Sequence, residues 1–161
     1  MSILVDPVLI NEGIKAGIGN IGENKVQEVQ IKKEFIDPVI WHMVGHLQTN
    51  KVKQAVQLFD TIQSVDSYYF SAEINKRCNL LPKNMPILVE VNTSGEPSKF
   101  GCEPGETTSL VTRISSLPNI RIKGLMTVGI FSGEEEKIRK CFSMVRQLAE
   151  KIGTLKMSNV D

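Results

Sequence analysis

Short apolar, β-branched runs begin near residues 3, 18, 40, 61, 87, 120 and 155, and a helical pattern separates each from the next. Strands spaced this way pair in parallel, because the chain must cross back over the sheet through a helix before adding the next strand. The clearest run, Ile87-Leu88-Val89-Glu90-Val91-Asn92, is apolar almost throughout, as a parallel strand covered on both faces requires. Glu90 is its one charged residue. Two architectures satisfy the alternation, an open doubly wound sheet and a (β/α)8 barrel. A barrel ordinarily takes about 200 residues or more and eight units. With 161 residues and about six to seven βα units, the chain reads as a TIM-barrel-like α/β domain that stops early.

The elements follow in order. Asp6-Pro7 starts a helix that runs to about Ala16, with proline in the first turn where its missing N–H costs nothing. A strand over 18–21 leads into Gly22-Glu23-Asn24-Lys25-Val26-Gln27-Glu28, a polar helix start. The unit Ile40-Trp41-His42-Met43-Val44-Gly45-His46-Leu47-Gln48-Thr49-Asn50-Lys51 repeats this plan and carries both histidines. Its helix is expected over 48–58, with Val52, Ala55, Val56 and Phe59 as the buried stripe. Asp66-Ser67 supplies N-caps for a helix over 68–80. A helix over 104–115 and a strand over 120–127 follow. The acidic run Glu134-Glu135-Glu136 opens a long helix, where negative charge is favoured, and Ile138, Phe142, Val145, Leu148 and Ile152 form its apolar face. A seventh strand is expected over 155–158.

At 41% hydrophobic and 23% charged, residues 1–161 make one globular domain, enough for a single core. The net charge of +1 sets up no field that would recruit nucleic acid or an anionic membrane. Three widely spaced cysteines, Cys78, Cys102 and Cys141, fit a reducing compartment and point to the cytoplasm. No apolar run approaches the roughly 20 residues of a membrane span, and Asp6-Pro7 cuts the first run too early for a signal peptide.

Parallel βα units carry their chemistry where strand meets helix. Those junctions hold Glu23 and Asn24, then His46 with Gln48 and Asn50, then Ser64 and Asp66, then Asn92 with Ser94, then Met126 with Thr127. Such mostly neutral polar groups suit a polar, partly aromatic small molecule better than proton transfer, which wants a tuned carboxylate, histidine or lysine. Three roles stay open for His46: general base, anion ligand, or packing residue. His42 and His46 stand four apart, but Gly45 breaks the helix they would need to share a metal. Lys99 lies outside any Walker pattern, and Gly17-Ile18-Gly19-Asn20-Ile21-Gly22 runs through a strand instead of following one, so neither supports a nucleotide site.

Four stretches together resemble the pyridoxal phosphate homeostasis protein family, itself similar to the N-terminal barrel domain of alanine racemase. They are Gly22 to Glu28, Trp41 to Lys51, Val91-Asn92-Thr93-Ser94-Gly95-Glu96-Pro97-Ser98-Lys99-Phe100-Gly101, and Gly124-Leu125-Met126-Thr127-Val128-Gly129. The resemblance runs from about Pro7 to about Ser158 and implies a (β/α)8 barrel of alanine racemase N-terminal type. It also implies pyridoxal 5′-phosphate (PLP) held as a Schiff base on a lysine after the first strand, and a role in cofactor homeostasis without robust catalysis. By match, Asn24 lies beside the cofactor ring, Met126 and Ser158 belong to its surroundings, and His46 and Asn50 form pocket wall. Two departures stand out. The place of the family lysine falls at about Leu4, with no lysine before Lys15, and the arginine-bearing glycine turn that holds the phosphate has no counterpart. The resemblance then implies impaired cofactor binding. A PLP-dependent racemase-like enzyme and a structural barrel that self-associates through its open edges are the alternatives.

Overall fold

The computed structural model describes residues 5–161. Five strands, β1 (Asn20–Glu23), β2 (Ile40–Met43), β3 (Thr61–Val65), β4 (Met85–Glu90) and β5 (Ile120–Met126), form one sheet. Every pairing is parallel and the strands lie in chain order. That order decides between the two architectures: a doubly wound sheet reverses direction at a switch point, whereas a barrel adds each strand to the same side of the last. The sheet is therefore a sector of a barrel.

Helices α1 (Pro7–Lys15), α2 (Val26–Lys32), α3 (Val52–Leu58), α4 (Tyr68–Cys78), α5 (Thr107–Ile114) and α6 (Glu135–Gly153) punctuate the strands. Asp6 caps α1 by accepting from the Val8 N–H at 2.8 Å, and Ser67 caps α4 by accepting from the Phe70 N–H. The expected stripe on α3 is buried, with Val52, Ala55, Val56 and Phe59 all in the core. Successive side chains of a strand face opposite ways. On the helix side lie Ile21, Trp41, Met43, Ile62, Ile87, Val89, Ile120 and Ile122, all buried. The other face carries a polar chain beside Ile40 and Leu88: the His42 ring bonds Asn20 Oδ1 through Nε2 and Gln63 Nε2 through Nδ1, each at 2.9 Å. Because the Gln63 amide can only donate there, His42 is the neutral tautomer with its proton on Nε2. Burial lowers its pKa, opposed by the Asp60 carboxylate.

Three expectations are corrected, and one lies mostly outside the described residues. Of the first strand, Ile3 and Leu4 lie outside the described residues, and Val5 is in no strand. Glu23 is not a junction residue: it ends β1, fully buried on the helix side, with Lys32 Nζ 3.2 Å from its Oε1. On α6 the buried residues are Cys141 and Ile152, while Phe142 is 54% exposed. The helix is rotated so that the Cys141 thiol meets the Thr93 carbonyl at 3.5 Å, and Phe142 is left over Gly129. The seventh strand does not form over 155–158, because Lys156 and Asn159 take left-handed backbone angles of 46° and 60°. Pairing resumes only at Val160, which bridges Ile122 in parallel.

The Glu23–Lys32 pair is an ion pair taken out of water, and Glu28 adds a second carboxylate to Lys32 at 3.3 Å. Removing one partner leaves the other charge buried, a cost of about 3–5 kcal/mol. Lys32→Met is expected to lower the urea unfolding midpoint by a corresponding amount; a loss below about 1 kcal/mol would contradict this reading of the pair.

Candidate functional site

Parallel pairing brings the C-terminal ends of all five strands to one rim. The turn after β2 passes directly over the end of β1. The Val44 N–H donates to the Glu23 carbonyl at 2.9 Å, and a Cβ on Gly45 would lie 2.7 Å from the Asn24 carbonyl oxygen. Only glycine permits that approach. From the other side Ser64 Oγ donates to the Gly45 carbonyl at 2.8 Å, tying the turn to β3.

Between these two junctions lies a hollow of about 640 Å³ lined by Asn24, Lys25, Gln27, His46, Gln48 and Lys51 among others. Glu28 also borders it, but its carboxylate is engaged by Lys32. The remaining charges are the ammonium groups of Lys25 and Lys51, so the hollow is electropositive with neutral amides around it. His46 is exposed and stacks flat on Phe100, ring centroids 3.7 Å apart and planes within 10°. That contact joins the β2 turn to the long loop after β4.

Asn92 organises this long loop. Its Oδ1 accepts from Ser94 Oγ and the Gly95 N–H, and its Nδ2 donates to the carbonyls of Glu96 and Lys99. All its polar capacity is spent on the chain itself, which makes it a loop organiser. Gly101 closes the loop at φ +110°, where a Cβ would fall 2.6 Å from the Asn92 nitrogen. Thr93 and Thr127 share a hydroxyl contact at 2.8 Å, and Lys99 Nζ donates to the Gly129 carbonyl at 2.9 Å, linking this loop to the one after β5.

The expected site residues separate on this map. Asn24 and His46 share the hollow. Asn50 sits in the exposed 3-10 turn Thr49–Lys51, outside the lining. Met126 ends β5, opposite Glu90 in register and three strands from β2. Ser158 lies in the turn before Val160, whose bridge to Ile122 sets it toward the N-terminal end of the sheet, away from the rim. Lys25, Lys51 and Phe100 were in the quoted motifs, but nothing in their spacing marked them. Among the described residues, no helix is long and apolar enough to cross a membrane, and no cluster of His, Cys, Asp and Glu could hold a metal.

The comparisons with known proteins agree with this fold. The fold defines the class: a parallel α/β barrel domain of alanine racemase type. Alanine racemase from Clostridium difficile 630 superposes with TM-score 0.81 at 13% identity, covering 94% of this chain and 40% of its own. The alanine racemase N-terminal domain family model matches residues 8–159, and the chain belongs to that family. Among its relatives are the pyridoxal phosphate homeostasis proteins of Helicobacter pylori strain J99 and Aquifex aeolicus strain VF5. The first is 37% identical over 135 residues, 81% of this chain and 61% of the relative. The second is 35% identical over 150 residues, 92% and 66% respectively. The chain thus spans a little under two thirds of their length. PipY of Synechococcus elongatus PCC7942, solved without PLP, superposes with TM-score 0.86 at 28% identity, covering 92% of this chain and 71% of PipY. The same protein with PLP bound gives 0.83 at 26% identity.

Glu90, the odd residue of β4, is 6% exposed. Burial raises its pKa from the ordinary 4.5 to about 7, and the Asp66 carboxylate adds to the effect. Its proton is held more tightly in the folded state, so stability is highest below pH 4.5 as far as Glu90 decides it, and falls as pH rises toward 7. The contribution is about 3 kcal/mol. Glu90→Gln is expected to abolish this slope and to be more stable than the parent at pH 8; unchanged slopes in paired denaturation series would contradict it.

Proposed function

We propose that this chain is a PLP-binding protein of the homeostasis type, acting without catalytic turnover, and that the hollow containing Asn24 and His46 receives the cofactor. The observation that carries the proposal is that the rim gathers two uncommitted ammonium groups and several amides around a single hollow, while the nearby carboxylate of Glu28 is taken up by Lys32. This donor set fits a phosphorylated aromatic ligand: Lys25 and Lys51 would hold the phosphate, and Asn24 and Gln48 the polar substituents of the ring. Bound PLP would supply an electrophilic aldehyde. The chain's own contribution is to bind and orient, with His46 kept in place by Phe100. PipY, solved with PLP bound, supports the choice of ligand.

Asn50, Met126 and Ser158 have no part in this site. A racemase-like reading needs an amine at the cofactor and an opposing base. Tyr68 and Tyr69 stand instead at the start of α4, Tyr68 beneath the Arg113 guanidinium. The free, buried cysteines support the cytoplasm as the compartment, and the outer edge of β1, unpaired among the described residues, supports self-association.

Titration with PLP, followed by absorbance, is expected to show reversible binding that Lys25→Ala and Lys51→Ala each weaken about tenfold, the loss of roughly one charge-assisted contact. Borohydride treatment and mass analysis are expected to recover no PLP-labelled lysine. Labelled Lys15 or Lys25 would overturn non-covalent binding, and unchanged affinity in the double variant would overturn the hollow.

A further inference from the structure

A second hollow, of about 280 Å³, opens on the rim between the start of α4 and the face of α5, and the cofactor reading makes no use of it. Asp66, Ser67, Tyr68, Glu106, Ser109 and Arg113 provide its polar lining, with Leu110 and Cys102 as apolar floor. Arg113 is held with its guanidinium carbon 4.4 Å from the centre of the Tyr68 ring. Stacking of this kind fixes the plane of the guanidinium and leaves its edge N–H groups free to take a carboxylate.

Opposite charges thus line one small space without neutralising each other. Among the described residues, Arg113 forms no ion pair with Asp66 or Glu106, and neither carboxylate has another cationic partner within 4.0 Å. Some exposed charges elsewhere do pair, as Arg139 does with Glu135 and Arg146 with Glu150. A simple anion would meet the two carboxylates, and a simple cation would meet the arginine. A molecule carrying both charges a few ångströms apart satisfies each group at once. The size sets the scale, since the hollow falls just below the range of about 300–1,000 Å³ typical of drug-sized ligands.

We propose that this hollow between α4 and α5 binds a free α-amino acid as its zwitterion, the carboxylate on Arg113 and the ammonium between Asp66 and Glu106. The hydroxyls of Ser67 and Ser109 complete the polar contacts, and Leu110 and Cys102 receive a small apolar side chain. The site is separate from the hollow at Asn24 and His46, so it stands or falls independently of PLP binding.

The test is calorimetric titration of the full chain with each of the twenty L-amino acids, with the N-acetyl and carboxamide derivatives of any that bind. At least one small apolar amino acid is expected to bind, and blocking either terminus is expected to remove binding. Arg113→Gln and Asp66→Asn are each expected to weaken it about tenfold or more, with circular dichroism confirming that both variants remain folded. Rescue by Arg113→Lys in place of Arg113→Gln would identify the charge as the determinant. No binding of any amino acid at millimolar concentration, equal binding of a blocked derivative, or unchanged affinity in Arg113→Gln would each overturn the proposal.

Discussion

The arrangement at the rim depends on how closely the turn after β2 passes over the end of β1. Gly45 lies against the backbone of Asn24 at a distance no side chain could tolerate, and it is held from beneath by the Ser64 hydroxyl. This contact brings two consecutive strand ends into one wall, places Asn24 and His46 on a common hollow, and aims Lys25 and Lys51 into it. An added methyl at Gly45 would meet the Asn24 backbone and push the two junctions apart. The His46 ring then extends the wall to the third loop through Phe100, a loop that Asn92 has already folded around its own amide.

Beneath the rim, the sheet divides its labour between two faces. The helix side is apolar apart from the Glu23–Lys32 pair and supplies the burial that stabilises the fold. The inner side carries Asn20, His42 and Gln63, whose hydrogen bonds run across three neighbouring strands. Such a chain of polar contacts makes register costly to change, because a slip would leave a half-buried imidazole and two amides without partners. The buried Glu23–Lys32 pair does the same at the edge, locking α2 onto the strand that leads into the hollow.

Much of the fold was legible in the sequence because period and caps carry it. The alternation of short β-branched runs with helical patterns, the Asp6 and Ser67 caps and the α3 stripe all reappear as expected. Where the sequence misled, tertiary contacts decided. The apolar face of α6 was drawn from its large residues, but the small Cys141 reaches the Thr93 carbonyl and leaves Phe142 outside. Glu23 reads as a polar junction residue until Lys32, nine positions on, buries with it. Ser158 was assigned by motif alone, and it stands in the turn before Val160, which bridges Ile122. Of the candidate site, Asn24 and His46 could be read from their motifs. The lysines beside them could not, since a lysine at a helix start looks the same whether it faces a hollow or solvent.

The central claim is that the junctions after β1 and β2 act as one surface for PLP. Amide chemical-shift mapping of the labelled protein with added PLP tests it directly. The account predicts shifts in both segments, residues 24–28 and residues 46–51, saturating together at one ligand concentration. Shifts confined to one segment, or arising only in the loop over residues 93–100, would contradict it.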